Sequence, residues 1–556
     1  MTTPKKDYDV VVVGSGATGS IAVKELTERG LDVLLLEAGP DISDADFPPP
    51  AEAPPNPLGI GLGPRFSAAL HGQPVQARRA IFSPQVNPFL VNDWENPYST
   101  PRGNHFLWIR GRLLGGRLHS YGRVLNRMSD YDFNAASVDG NGEDWPISYD
   151  ELAPYYDRIE EFMGVYGDQD GVPAIPDGKP AHPPMLTMAE KDFKERVESA
   201  WPERRVISWR YAAPNLHRVP LGILAARKTG RLTTRTDAVV RQITVNSKTG
   251  RADGAIFVDR LTKAEHRVWA DVVVLCASTI ESVRLLLNSA CEGHEAGLGN
   301  SSGLLGRYFM DQCPSLTFAS IPHIQGYEVD DAAPPDPFYS PSGGVFIPRF
   351  LNLGAKTTPG FARGFSFQGA FGRIPVPEGQ PAACGMMGFG EMLPYYDNRI
   401  TLAARRTDAW GIRVPFISCT MRDNERALLR EQTRVIREIF QHNGYRLTFS
   451  GSPLGLDSRH IWPDRDPLSR LVFRLSFPYS LTIGASIHEC GGARMGADPK
   501  KSVLNSHNQS WDVPNLFVTD SSCFVSGGTV GPTLTIMALT ARACEYIANQ
   551  HADGAL

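Results

Sequence analysis

Two clusters of residues, far apart in the chain, have types and spacings that could do chemistry. In the stretch SIHECGGARMG, His488 stands just ahead of Cys490, Gly491 and Gly492. Imidazole is the side chain that exchanges a proton near neutral pH, and the glycine pair predicts a sharp turn of backbone beside it, where a Cβ would obstruct. A lone histidine also suits a satisfied core position, so its meaning depends on its setting. The second cluster supplies one. Gly14-x-Gly16-x-x-Gly19 follows the apolar run 10–13 and opens a helical pattern (Ile21, Ala22, Leu26), and a second apolar run, 33–36, ends in Glu37. Gly14 permits the tight turn, Gly16 lets a pyrophosphate approach the backbone, and Gly19 lets helix and strand pack closely. Glu37 can accept hydrogen bonds from ribose hydroxyls and would repel a 2′-phosphate. The chemistry expected is a bound, unphosphorylated ADP moiety.

Such residues need a large α/β frame. The 556-residue chain is long for one core, and its 53 Gly and 44 Pro predict many turns and long loops. Residues 231–290 read as short strands followed by a helix (TIESVRLLLNS), returning to the same kind of unit as the N-terminus. Residues 311–484 differ, with short alternating segments, the proline loop DAAPPDPFYSPSGG and one long amphipathic helix, DNERALLREQTRVIREIFQHNG. The fold class expected is α/β: a Rossmann-like dinucleotide-binding domain (1–310 and 485–556) interleaved with an α+β substrate domain on an antiparallel sheet (311–484). Residues 47–101 read as a proline-rich arm and loop. A helix capped by Ser148 is predicted in DWPISYDELAPYYDRIEEFMGVYG, with Leu152, Tyr155, Tyr156, Ile159 and Phe162 on its packing face.

Charge and cysteine use exclude several classes. A net charge of −4 without a basic block argues against a nucleic-acid partner. No apolar run approaches the roughly 18 residues that span a bilayer, and a strand-like run starts by Asp9, so neither membrane insertion nor a signal peptide is expected and the location read is cytoplasmic. The eight cysteines are scattered without C-x-x-C spacing, which predicts buried thiols and no metal or iron–sulfur site.

The ordered set of motifs, namely the fingerprint, LLGGRLHSYGRVLNRMS, WPISYDELAPYYD, VVVLCASTIESVRLLLNS, and HECGGARMG followed by NLFVTDSSCFVSGGTVGPTLTIMALTARACEYIA, resembles the glucose–methanol–choline (GMC) oxidoreductases, and within them the bacterial glycoside or pyranose 3-oxidoreductase branch. The resemblance implies FAD as cofactor. Gly14, Gly16, Gly19 and Glu37 would hold its ADP half, Val239 would meet the adenine, and Gly115 and Gly116 would pass close to the diphosphate or ring system. Asp520 would sit near the phosphoribityl chain, and Pro532 and Thr533 beside the pyrimidine ring. The final helix supports this independently: Leu534, Met537, Ala538, Ala541 and Cys544 share one face, and its positive end would begin at the flavin.

His488 matches the family's catalytic histidine, taking the hydroxyl proton as hydride leaves carbon. Many relatives carry Asn or His just before the Pro-Thr of the last helix, where this chain has Gly531. Some attach flavin to a histidine four residues after the Gly-Gly pair, but Ser120 stands there and His119 lies one residue early, so noncovalent FAD is expected. The stretch NLHRVPLGILAARKTG lacks the cysteine-rich insert of several quinone-linked relatives, which points to O2 or a small diffusible electron acceptor. The function implied is oxidation of a secondary hydroxyl at C3 of a sugar or glycoside. The alternatives are a non-redox lyase, a non-sugar alcohol oxidase, or a flavin-bearing binding protein; an oligomer is possible. Gln312, Gln368 and Gly531 are the substrate-side candidates, with Glu391 and Arg399 as further polar positions.

Overall fold

The computed structural model describes residues 6–46, 62–80, 86–215, 217–329, 343–354, 358, 360–456 and 467–556. The proline clusters at 47–59 and most of 331–344 lie outside these. The predicted loop at 47–101 is interrupted by a helix, Leu62–Leu70. Its one proline, Pro64, falls in the first turn, where a missing N–H breaks no hydrogen bond.

The fingerprint sits on a seven-stranded sheet. Leu232–Arg235, Val33–Leu36, Tyr8–Val13 and Glu265–Leu275 run parallel in that order, and Leu516–Val518 joins the last. Residues 10–13, 33–36, 272–275 and 516–518 are buried, which is why they read as unbroken apolar runs rather than alternating ones. The strand Glu265–Leu275 serves three partners: its second half pairs parallel with Tyr8–Val13 and with Leu516–Val518, and its first half pairs antiparallel with Arg251–Asp259, which continues to Ala238–Asn246. Helix Ala17–Glu28 leaves the sheet's carboxyl edge and packs on Thr533–Ala552 and Leu221–Lys228. Helix Tyr149–Phe162 has the predicted Ser148 cap, completed by Glu151, and buries Leu152, Tyr156 and Ile159.

A second seven-stranded sheet carries Gln312–Gln325, Phe365–Phe371, Pro381–Glu391 and Arg446–Ser452 as antiparallel neighbours of one another. Its period-2 alternation separates two faces. Gly388 and Gly390 point toward helix Asp423–His442, where an added Cβ would collide with Gln432 and Leu428. The opposite face presents Gln312 opposite Glu391, Gln368 opposite Met387, and Ser366 opposite Phe389. Two elements cross the expected division of the chain. Ile207–Ser208 adds an edge strand to this second sheet, and the ribbon Arg399–Thr407 with Arg413–Ser418 packs on helix Thr279–Asn288 of the first unit.

Candidate active site

A cleft runs from the fingerprint to His488. At its first end, the three glycines answer three different constraints. Gly14 has φ +97°, and a Cβ there would strike the Cys276 carbonyl and the Ala277 Cα; a Cβ on Gly19 would strike the Gly14 carbonyl. Gly16 is different: nothing lies within 4 Å of where its Cβ would be, and it lines the cleft. It also caps helix Ala17–Glu28 without a side-chain hydrogen bond. The helix's first amides are therefore open to an anion.

Glu37 lines the same end and is tied into the turn. One carboxylate oxygen accepts from Ser15 N and Ser15 Oγ (3.2 and 2.5 Å), and the other accepts from Gly39 N at 2.8 Å. Burial pushes its pKa up, against the pull of those donors. Gly115 N–H donates to Ser15 Oγ at 2.9 Å. Gly116, at φ +52°, lines the cleft facing Gly16. Gly115 and Gly19 stand behind the lining rather than in it; a Cβ on Gly115 would meet His119 and Pro220. Val239 lines the wall beside Glu37. The bare Gly16 surface, the uncapped helix start and a carboxylate at the strand end fit the ADP half of FAD.

Toward the other end come Asp520, Pro532 and Thr533. Asp520 is buried, and its oxygens accept from Ser282 Oγ and from Ser522 N and Oγ, so its carboxylate braces the cleft wall. Thr533–Ala552 starts at Pro532, with Leu534, Met537, Ala538, Ala541 and Cys544 fully buried. His119 lies outside this cleft, its Nε2 2.8 Å from the Leu114 carbonyl.

His488 is held from several sides. Its backbone N–H donates to Asp311 Oδ1 (3.1 Å), whose Oδ2 accepts from Gly484 N (2.6 Å), so one carboxylate closes the turn 484–488. Within that turn Ile487 has φ +61°, a strained conformation for a β-branched residue. The ring stacks on Phe389, centroids 5.1 Å apart. Nδ1 lies 2.6 Å from Gln312 Oε1. Among the described residues Nε2 has no hydrogen-bond partner, and a Cβ on Gly531 would stand 3.4 Å from it. Burial, with the Arg117 charge adding to it, pushes the His488 pKa down to about 3. The imidazole is therefore neutral at physiological pH. Asp311 is raised to about 7 by burial and by the Glu489 charge.

The structure revises several expectations. Gln312 is buried outside the cleft, its amide donating to the Gly528 and Val530 carbonyls, so it cannot contact substrate as expected. Glu391 is fully buried against Arg363 and Arg349, and Arg399 is exposed away from the cleft; neither is placed to bind a sugar. Gly491 and Gly492 do turn at positive φ, but a Cβ on either would strike Tyr308 or Val283, so they yield to protein and not to a ligand. Gln368 and Gly531 do line the cleft. Sequence reading passed over Arg117, which reaches from the residue after the Gly-Gly pair to Glu489 (2.8 Å) and Ser278 (3.0 Å). It also passed over Glu281, whose pKa burial would raise but the Arg284, Arg112 and Arg110 charges hold near about 2. The Gly-Gly-Arg spacing was the available signal for the first; nothing local marked the second.

A family model described as GMC oxidoreductase matches residues 394–540, and one described as NAD(P)-binding Rossmann-like domain matches residues 12–47. A 2-methyl-1,2-propanediol dehydrogenase of Mycolicibacterium austroafricanum is 28% identical over 605 residues, covering 100% of this chain and 97% of its own length. A C-glycoside 3-oxidase of Arthrobacter globiformis is 24% identical over 577 residues, covering 98% of this chain and 95% of its own. The fold matches a structure concerned with FAD modification in the formate oxidase of Aspergillus oryzae, with a TM-score of 0.65 at 16% identity, covering 99% of this chain and 100% of that one.

Proposed function

Because the chain belongs to the GMC oxidoreductase family and its cofactor is FAD, we propose that it oxidises a secondary hydroxyl of a sugar or glycoside, at C3, to the ketone, and passes the electrons to O2 or another small acceptor. The observation that carries this reading is His488 Nε2, which has no hydrogen-bond partner among the described residues and faces bare Gly531 in the cleft that begins at the fingerprint. On this reading residues 1–310 and 485–556 hold FAD noncovalently and residues 311–484 cover the substrate.

Bound FAD supplies the hydride acceptor. The protein's part is to hold and deprotonate the alcohol. His488 Nε2 takes the hydroxyl proton, and its low pKa keeps that lone pair free. Phe389 fixes the plane of the ring, and Gly531 leaves space for the carbon that bears the reacting oxygen. Gln368, whose amide faces the cleft near Gly122, offers a hydrogen bond to a second hydroxyl. Trp108, Ile109, Val124 and Ile487 wall the cleft and thin out competing water. Gly14, Gly16, Glu37, Gly116 and Val239 hold the ADP half, while Asp520, Pro532 and Thr533 bring the positive start of the last helix to the ring system.

A second reading has its own support. The His488 ring stacks on Phe389 and Ile487 beside it also lines the cleft, an apolar contact suited to a smaller aliphatic alcohol, and one relative is named for a branched diol. Anaerobic mixing with a panel of glycosides and short diols decides between them. Flavin bleaching by aryl or alkyl glycosides, with a 3-keto product, supports the first reading. Bleaching by diols alone supports the second, and product without bleaching indicates a lyase.

A further inference from the structure

We propose that Gln312 is a positioning residue that commits His488 to the Nδ1–H tautomer, leaving Nε2, on the Gly531 side, as the proton acceptor. This rests on the reading of His488 as the base. The amide's direction is settled by its surroundings. The Gly528 and Val530 carbonyls lie 3.0 and 2.8 Å from Gln312 Nε2, and carbonyl oxygens only accept, so the NH2 group must face them. A flipped amide would set its oxygen against two others. Gln312 Oε1, an acceptor, is left 2.6 Å from His488 Nδ1. A neutral imidazole bonded there must carry its proton on Nδ1.

The same contacts place the backbone beside the reactive nitrogen. Ser366 Oγ donates to the Thr529 carbonyl at 2.5 Å, so Gln312 and Ser366, on one face of the antiparallel sheet, hold the successive carbonyls of 528–530. The chain then passes Gly531 and enters the last helix. One amide thus sets the tautomer of the ring and anchors the loop that borders it.

An amide does this without adding charge. The charged groups around the ring are otherwise engaged: Arg117 pairs with Glu489, Asp311 accepts from the His488 and Gly484 backbone, and Glu391 on the neighbouring strand pairs with Arg363. None of them hydrogen-bonds the His488 ring. A carboxylate at 312 would favour the imidazolium, whereas glutamine keeps the base neutral.

The test is ¹⁵N spectroscopy of histidine-labelled holoenzyme, with the His488 signals assigned by difference from His488→Ala. Wild type should show Nδ1 protonated and Nε2 bare. Gln312→Met should give mixed tautomers and a kcat roughly 10- to 100-fold lower at unchanged flavin content. Gln312→Glu keeps an acceptor facing Nδ1 and should restore the Nδ1–H signal, while its added charge favours the imidazolium and should leave kcat depressed, recovering as pH rises. A wild-type ring protonated at Nε2 overturns the proposal even if Gln312→Met fails to fold, and so does a Gln312→Met tautomer identical to wild type. The tautomer result needs no substrate. Should it hold while no glycoside bleaches the flavin, the substrate reading falls and the positioning role stands.

Discussion

The two ends of the cleft are built in opposite ways. At the fingerprint end the ligand-facing surface is mostly backbone, namely Gly16, Gly116 and the open start of helix Ala17–Glu28, with Glu37 bracing the turn through Ser15. At the His488 end it is side chains, each oriented by residues remote in sequence: His488 by Gln312, Asp311 and Phe389, and Arg117 by Glu489 and Ser278. A backbone surface can be written in a short motif because φ and the absence of a Cβ are local properties. An oriented side chain cannot, because its partners arrive only with the fold.

The sharpest way to separate the ends is His488→Ala. It should retain FAD, measured as flavin released on denaturation, while turnover falls roughly 10²–10⁴-fold, with part of the loss recovered at high pH as hydroxide replaces the base. Turnover within a few-fold of wild type at every pH would make His488 a packing residue. The converse break is Gly14→Val. The left-handed φ alone costs ~1–3 kcal/mol, and the collision with Cys276 adds to it, so the variant should purify with little flavin and melt early.

Glu37→Ala should weaken FAD about tenfold, on the order of one charged hydrogen bond, leaving turnover per bound flavin within about twofold. A slow variant with full flavin would show that the ends are not separable. Gly531→Asn sharpens the substrate side. If the bare surface near Nε2 exists for a bulky aglycone, kcat/KM should drop several-fold for an aryl glycoside and much less for free glucose. An equal effect on both would remove that role from Gly531.

The smallest effect is in pH. His488 is held near about 3 instead of the usual 6.5, so kcat should show no acid limb near 6.5 and should stay level down to about pH 5. In stability the sign is adverse: between 6.5 and 3 the unfolded chain binds a proton that the folded ring refuses, so this group withdraws stability as pH falls through that window. Asp311 acts oppositely. Its folded value of about 7 lies above the unfolded 3.8, so it adds stability as pH falls below 7. Comparing acid melting of wild type and Asp311→Asn reads the second contribution, which the variant should lose.

Much of the frame was legible. The runs at 10–13 and 33–36 are buried parallel strands, Ser148 caps its helix, and DNERALLREQTRVIREIFQHNG forms Asp423–His442, because periodicity and capping are local signals. Leu62–Leu70 was missed since the prolines before it dominated the composition of the segment. Ile207–Ser208 was missed since two residues carry no period at all.

For the site, the amino-acid sequence alone determined the glycine turn, the acidic strand end and the histidine, because each is set by what one residue's φ, Cβ or pKa range permits. Only the tertiary structure decided that Gln312 faces His488 and not a substrate, that Glu391 is consumed by arginines, and that Gly491 and Gly492 make way for Tyr308 and Val283. The reason is geometric. Whether a polar side chain is free to meet a ligand depends on which acceptors stand within about 3 Å of it, and that distance is fixed by strands joined across hundreds of residues.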